Sequence, residues 1–297
     1  MDNYIALNGW TYCGFGGERR PREFIDWAAG KGLDGVELTV SDCLSLDTTR
    51  EEAVKIASYA RRKGIGLRTL GSGFGWNKWL CSDDEAERTE ACELVAKYMR
   101  LAKWIGAETV LVIPGATRVA WDSSHREVSY KKAWECATAS IAELSTVAES
   151  FGVNLALENA WNRFLVSPME WKLFLDQFDS SRVGIYLDVG NCCLTGRPGD
   201  YVELLGSRIK AVHLKNFSES DSAGGLHGFG DDLFSGVVDF ARLFAAFGGI
   251  GYDGPYTVEM IPFSRLPDLV LPDTALAERM AAQIGELKKL AARTQPA

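Results

Sequence analysis

Short apolar runs and longer stretches of helical spacing alternate eight times along this chain, and that alternation constrains the fold more than any other feature. The apolar runs fall at 4–10 (YIALNGW), 35–40 (GVELTV), 65–70, 109–113 (TVLVI), 153–157, 183–187, 209–212 and 256–258. Between and after them, helical spacing is read at 21–31, 49–63, 84–105, 130–151, 168–178, 200–205, 238–247 and 271–290. Gly32, Gly64, Gly106 and Gly152 close the first four helical stretches, where glycine tolerates the left-handed cap. No Pro/Ser-rich linker or low-complexity segment interrupts the pattern. Strict alternation implies a parallel sheet with helices packed on it, and eight units of this size imply a closed (β/α)8 barrel, one α/β domain over residues 1–297. A doubly wound open sheet would want a phosphate-binding turn after its first strand, and Cys13-Gly14-Phe15-Gly16-Gly17 does not fit GxGxxG.

Four of the later strands end in the same way. Val183-Gly184-Ile185-Tyr186-Leu187 stops on Asp188 and then turns through Gly190-Asn191. Val153 to Leu157 runs into Glu158, Ile209 to Val212 into His213, and Tyr256 to Val258 into Glu259. A carboxylate at the end of a strand buried on both faces is costly to desolvate unless it is paired or coordinates a cation. Taken singly, a strand-end acid is more often a helix cap or half of an ion pair, and His213 an ordinary core histidine. In a barrel, however, the C-terminal strand ends converge on one mouth, so all four side chains face one small volume. Three carboxylates and an imidazole suit a divalent ion such as Mn2+, Co2+ or Mg2+, with positions left open for substrate oxygens. A structural zinc site would prefer cysteine and would be closed.

Other positions carry weaker signals. Lys215 should point the same way as His213 by strand alternation, towards a substrate oxygen, a phosphate or a barrel-mouth ion pair. The loop 218–236 is long, polar and Gly-rich, with His227 at its middle, and reads as a substrate lid; His227 is either a ligand or base there, or simply solvated. Trp10, Phe74, Trp76, Trp121 and Trp161 fall at or just after strand ends, where aromatic rings can wall a substrate pocket. The loop 114–126 holds Arg118, Trp121 and His125.

The formal net charge of -8 argues against non-specific binding to nucleic acid or an anionic membrane surface. No apolar run approaches the roughly 20 residues that span a bilayer, and the start lacks the pattern of a secretory signal, so a soluble cytoplasmic protein is expected. The seven cysteines include no CxxC pair, which supports neither a disulfide framework nor a zinc ribbon. The expected partner is a small molecule, with assembly into a homo-oligomer left open.

Four segments carry a resemblance. They are Leu157-Glu158-Asn159-Ala160-Trp161-Asn162-Arg163-Phe164, Leu187-Asp188-Val189-Gly190-Asn191, Val212-His213-Leu214-Lys215-Asn216-Phe217, and Gly248 to Gly254 continuing through Val258-Glu259-Met260. Together they resemble the sugar isomerase/epimerase superfamily with its xylose-isomerase-like barrel, in particular the ketose 3-epimerases and the hexulose- or pentulose-phosphate isomerases. The resemblance runs from about Gly35 to Glu259. It implies that Glu158, Asp188, His213 and Glu259 bind one divalent ion, Mn2+ foremost, with Co2+, Mg2+ or Zn2+ as alternatives. It also implies that Glu158 and Glu259 double as acid and base. Asn191, Arg163, Lys215, Trp121 and His227 are the candidate substrate contacts. Asn191 stands where ketose 3-epimerases commonly carry a histidine, and Glu219 is the nearest match to their usual arginine.

The chemistry is coherent on these residues. Epimerisation beside a ketone needs a base to remove the α-proton, stabilisation of the cis-enediolate, and an acid to return a proton to the other face. The alternative is a lyase or dehydratase acting on a keto-inositol or a 3-keto-glycoside, which starts with the same proton removal. Trinuclear-zinc endonucleases of this architecture need more histidines than His125, His213 and His227. A non-catalytic barrel would be expected to have lost ligands. A phosphorylated substrate would need an Arg/Lys fork or an amide cradle. Arg118, Arg163, Arg197 and Lys215, with the turns Gly71-Ser72-Gly73 and Gly224-Gly225, form no recognisable phosphate motif, so a non-phosphorylated sugar is favoured.

Overall fold

Strand β1 (Ile5–Asn8) pairs in parallel with both β2 (Gly35–Val40) and β8 (Tyr256–Val258), and this double pairing closes the sheet. Between them β3 (Thr69–Ser72), β4 (Thr109–Val112), β5 (Asn154–Glu158), β6 (Val183–Asp188) and β7 (Ile209–Leu214) follow in sequence order around a single (β/α)8 barrel. A computed structural model describes residues 4–15, 20–40, 42–119, 127–219, 225–263 and 273–294. Among the described residues the helices are α1 (Gly9–Cys13), α2 (Pro21–Gly30), α3 (Arg50–Arg62), α4 (Glu85–Ile105), α5 (Tyr130–Phe151), α6 (Pro168–Leu175), α7 (Pro198–Leu205), α8 (Phe240–Gly249) and α9 (Thr274–Arg293). None of them is long and apolar enough to cross a membrane.

Local chemistry accounts for most of the boundaries. Thr49 and Ser167 open α3 and α6 with capping boxes to Glu52 and Glu170, which satisfy otherwise orphaned N–H groups at each end. Gly106 and Gly152 end α4 and α5 in the left-handed conformation, at φ 86° and 70°. The sequence pattern carries the first strand to Trp10, whereas β1 stops at Asn8. The Asn8 side chain accepts from the Trp10 N–H and caps the short α1 instead. The third strand begins at Thr69 rather than Ile65, and before it Gly66 makes only an isolated bridge with Gly35 of β2.

Strand alternation then sorts the side chains into two layers. Ile5, Leu7, Val36, Leu38, Val110, Leu155, Leu157 and Val212 face outward and pack beneath the helices in one continuous core. Leu111, Ile113, Ala156, Tyr186 and Ala211 form a separate cluster that Trp76 packs against, filling the inside of the barrel near β4 to β7. The buried polar residues Asn8, Glu37, Thr39, Thr69 and Thr257 come from β1, β2, β3 and β8. The barrel interior is thus apolar on one side and polar on the other.

Candidate metal centre and cavity

The register of the last four strands brings the strand-end residues together. Asp188 is the Cα partner of His213, and His213 that of Thr257, two residues before Glu259. One ligand atom from each of Glu158, Asp188, His213 and Glu259 lies within 4.8 Å of the other three. All four residues are buried, Asp188 and His213 completely.

His213 shows what this cluster can hold. Its Nε2 is 2.8 Å from Glu37 Oε1. With the carboxylate as acceptor, Nε2 carries the proton, and a neutral ring then presents a lone pair at Nδ1. Nδ1 is buried and has no hydrogen-bond partner, with Glu158 Oε1 at 3.5 Å and Glu259 Oε2 at 3.7 Å. A bare lone pair facing two carboxylate oxygens is unfavourable, and a cation between them removes the conflict. Burial disfavours a charged imidazole here, yet Glu259 and Glu37 outweigh it and raise the His213 pKa well above its ordinary range. The cluster therefore attracts positive charge, and its O3N donor set with a fixed tautomer fits a divalent ion.

The Asp188 carboxylate is held by the backbone around it. Asp188 Oδ1 accepts from the N–H groups of Gly190 and Asn191 at 2.9 and 2.8 Å, which fixes the turn after β6. Asn159 clamps the same strand end, donating to the Asp188 carbonyl and accepting from its N–H, both at 2.8 Å. The Lys215 ammonium lies 3.0 Å from Asp188 Oδ2 and 2.7 Å from Glu259 Oε2. Its stem passes directly over Gly190, where a Cβ would come within 2.8 Å of Lys215 Cγ. Burial, with added repulsion from Glu259 and partial relief from His213, pushes Glu158 up to about 7. Burial also raises Asp188, opposed mainly by Lys215.

Above this floor opens a cavity of about 500 Å³. Glu158, Asn191, Lys215 and Glu259 border it at the bottom, and Trp10, Phe74, Trp76 and Trp161 contribute to its walls. Arg163 and His227 are exposed and are not among the lining residues, although Leu226 and Phe229, next to His227 in the chain, are. Arg163 is carried away on a backbone with φ of 56°. Arg118 and Arg197 point to solvent and pair with Glu127 and Asp200. Trp121 and His125 lie outside the described residues. Glu37, Phe15, Phe229 and Phe263 were not singled out by sequence reasoning. For Glu37 a signal exists, an acid in the middle of an otherwise apolar and β-branched strand; for the three phenylalanines, in loops, there is none.

The comparisons agree with this geometry. Residues 25–287 match the model of the xylose isomerase-like TIM barrel family. The chain is 28% identical to SgbU of Escherichia coli K12 over 235 residues, covering 77% of this chain and 79% of SgbU. It is 26% identical over 248 residues to the L-ribulose-5-phosphate 3-epimerase UlaE of Escherichia coli O1:K1 / APEC, covering 80% of this chain and 81% of UlaE. The crystal structure of D-psicose 3-epimerase with D-tagatose, from Clostridium cellulolyticum H10, superposes with a TM-score of 0.76 at 17% identity, covering 97% of this chain and 99% of that one. The match spans most of the barrel, and the protein belongs to the xylose isomerase-like TIM barrel family.

Proposed function

We propose that this protein is a single-domain, divalent-metal-dependent sugar epimerase or isomerase acting on a ketose or keto-sugar derivative. The observation that carries the reading is the cluster of Glu158, Asp188, His213 and Glu259 on the cavity floor, with the unpartnered His213 Nδ1 turned into it. These four residues hold the ion, Mn2+ foremost. When bound, it supplies electrostatic stabilisation for negative charge developing on the carbonyl and neighbouring hydroxyl oxygens.

Glu158 and Glu259 reach the centre from strand ends three strands apart, and both border the cavity. One takes the proton from the carbon beside the ketone, and the other returns a proton to the opposite face. The Lys215 ammonium, fixed against Glu259 and bordering the same floor, donates to a substrate oxygen and favours charge there. Asn191 supplies a further contact to substrate hydroxyls; Arg163, Trp121 and His227 have no such geometric support. Names of relatives such as UlaE and D-psicose 3-epimerase support sugar epimerisation as the reaction class. None of the seven cysteines is in a disulfide, which supports a reducing, cytoplasmic setting.

The test is solvent deuterium exchange at the α-carbon of a ketose panel, followed by NMR in deuterium oxide with Mn2+ and after chelation. Exchange should depend on the metal and leave the carbon skeleton intact. Exchange that survives chelation at full rate overturns the reading. Loss of a β-substituent in the same assay identifies an elimination, which the room beyond one sugar ring also permits.

A further inference from the structure

Among the described residues the cavity walls are mostly aromatic, where a free ketose would present hydroxyl groups. Trp161, Phe229 and Phe263 form a run of rings, with centroids 5.1 and 5.8 Å apart in succession. Trp10 and Phe15 form a second pair, at 5.8 Å. Of the three indoles on the wall, Trp10, Trp76 and Trp161, the first and last have already used their donor. Trp161 Nε1 donates to the Asn191 carbonyl at 3.0 Å, and Trp10 Nε1 donates to Asp42 Oδ2 at 2.7 Å. What these side chains present to a ligand is therefore ring surface and not hydrogen-bonding capacity.

The charged groups Glu158, Lys215 and Glu259 gather at the floor, and Asp42, which accepts from Trp10, is the one carboxylate beside the aromatic wall among the described lining residues. Among the described lining residues the only cation is Lys215, already flanked by Asp188 and Glu259, and the uncharged amides are Asn77 and Asn191. Hydroxyls of a free ketose that face these rings would lose water without gaining partners from them, at about 1–3 kcal/mol for each unsatisfied group. A terminal phosphate would fare worse. The volume, about 500 Å³, falls in the range of sites for drug-sized ligands, larger than one sugar ring needs.

We propose that the substrate is a keto-sugar bearing a flat apolar substituent, of the aryl glycoside class, with its sugar on the Glu158–Glu259 floor and its substituent against the Trp161–Phe229–Phe263 and Trp10–Phe15 rings. The sugar end of this assignment rests on the function proposed above; the substituent end rests on the walls alone.

Phenyl β-D-glucopyranoside and methyl β-D-glucopyranoside, which carry no ketone and cannot react, separate the two. Calorimetry on the full-length protein, with no metal added, should show the phenyl glycoside binding at least tenfold more tightly. In Phe263→Ala and Trp161→Ala, each checked for folding by thermal unfolding, that preference should fall below about threefold. Equal binding of the two glycosides to the unaltered protein, or a preference that survives both substitutions, overturns the proposal. Deuterium exchange with Mn2+ then compares phenyl 3-keto-β-D-glucopyranoside with D-fructose, and kcat/KM should favour the aryl compound. Discrimination between the glycosides with no exchange into either ketone would sink the epimerase reading and leave the substituent site standing. Exchange into D-fructose with no discrimination would do the reverse.

Discussion

Glu37 on β2 and His213 on β7 are 176 residues apart in the chain and 2.8 Å apart in the barrel. That hydrogen bond decides which imidazole nitrogen faces the ligand cluster. Glu37 is itself fixed by Tyr186, whose hydroxyl donates at 2.5 Å, and by Asn8 Nδ2 at 2.7 Å. Burial alone would raise the Glu37 pKa, but His213 and the hydrogen bonds made to the carboxylate hold it below the ordinary value. Glu37→Ala should therefore weaken Mn2+ binding by about 10–100-fold, the usual effect of removing a carboxylate that orients a metal-binding histidine. Glu37→Gln keeps an acceptor and should lose less. Calorimetric Mn2+ titration reads both, and an unchanged affinity in the alanine variant would remove Glu37 from the site.

Glu158→Gln and Glu259→Gln should each lower turnover by about 10²–10⁴-fold, the range for removing a positioned acid or base. Turnover must be expressed per bound metal at saturating Mn2+, since both residues also belong to the ligand cluster. A variant that stays near the unaltered protein on that scale excludes its residue from proton transfer.

The Glu158 pKa gives a stability test in metal-free protein. An unfolded glutamate titrates near 4.5, and the folded one near 7, so between those values the folded state holds more proton than the unfolded state. This group's contribution to stability must then decrease as pH rises from about 4.5 to 7 and stay low above. Glu158→Gln, which removes the buried charge but keeps the shape, should melt higher than the unaltered protein at pH 8 in EDTA. At pH 4.5 the two should lie much closer. Identical differences in Tm at both pH values would contradict the assignment.

Adding a terminal phosphate to a ketose substrate should not raise kcat/KM. Lys215 is the one cation among the described lining residues, and its charge is matched by two carboxylates. A hundredfold preference for the phosphate, about 2.7 kcal/mol of transition-state binding, would reveal an anion site that the described residues do not form.

The eight-fold alternation, the glycine caps and the strand-end positions of Glu158, Asp188, His213 and Glu259 are written locally. Each depends on periodicity or on a residue beside a strand terminus, and backbone geometry converts those patterns into elements with little help from distant residues. Even the convergence of the four side chains follows once eight parallel strands are granted, because a barrel brings like ends together. Other features arise only when β1 closes against β8 and the loops settle. The contact of Glu37 with His213, the seating of Lys215 between Asp188 and Glu259, and the walls of Phe15, Phe229 and Phe263 join residues from opposite parts of the chain. The outward course of Arg163 and His227 belongs with them. Short-range pattern specifies which face of a strand a residue takes, but loop path and cross-barrel distance are set by packing among elements far apart in sequence. The sequence alone thus determined the barrel and the rim on which its acids stand, whereas the tertiary structure decided the histidine tautomer, the charge pairing at the floor and the apolar character of the cavity.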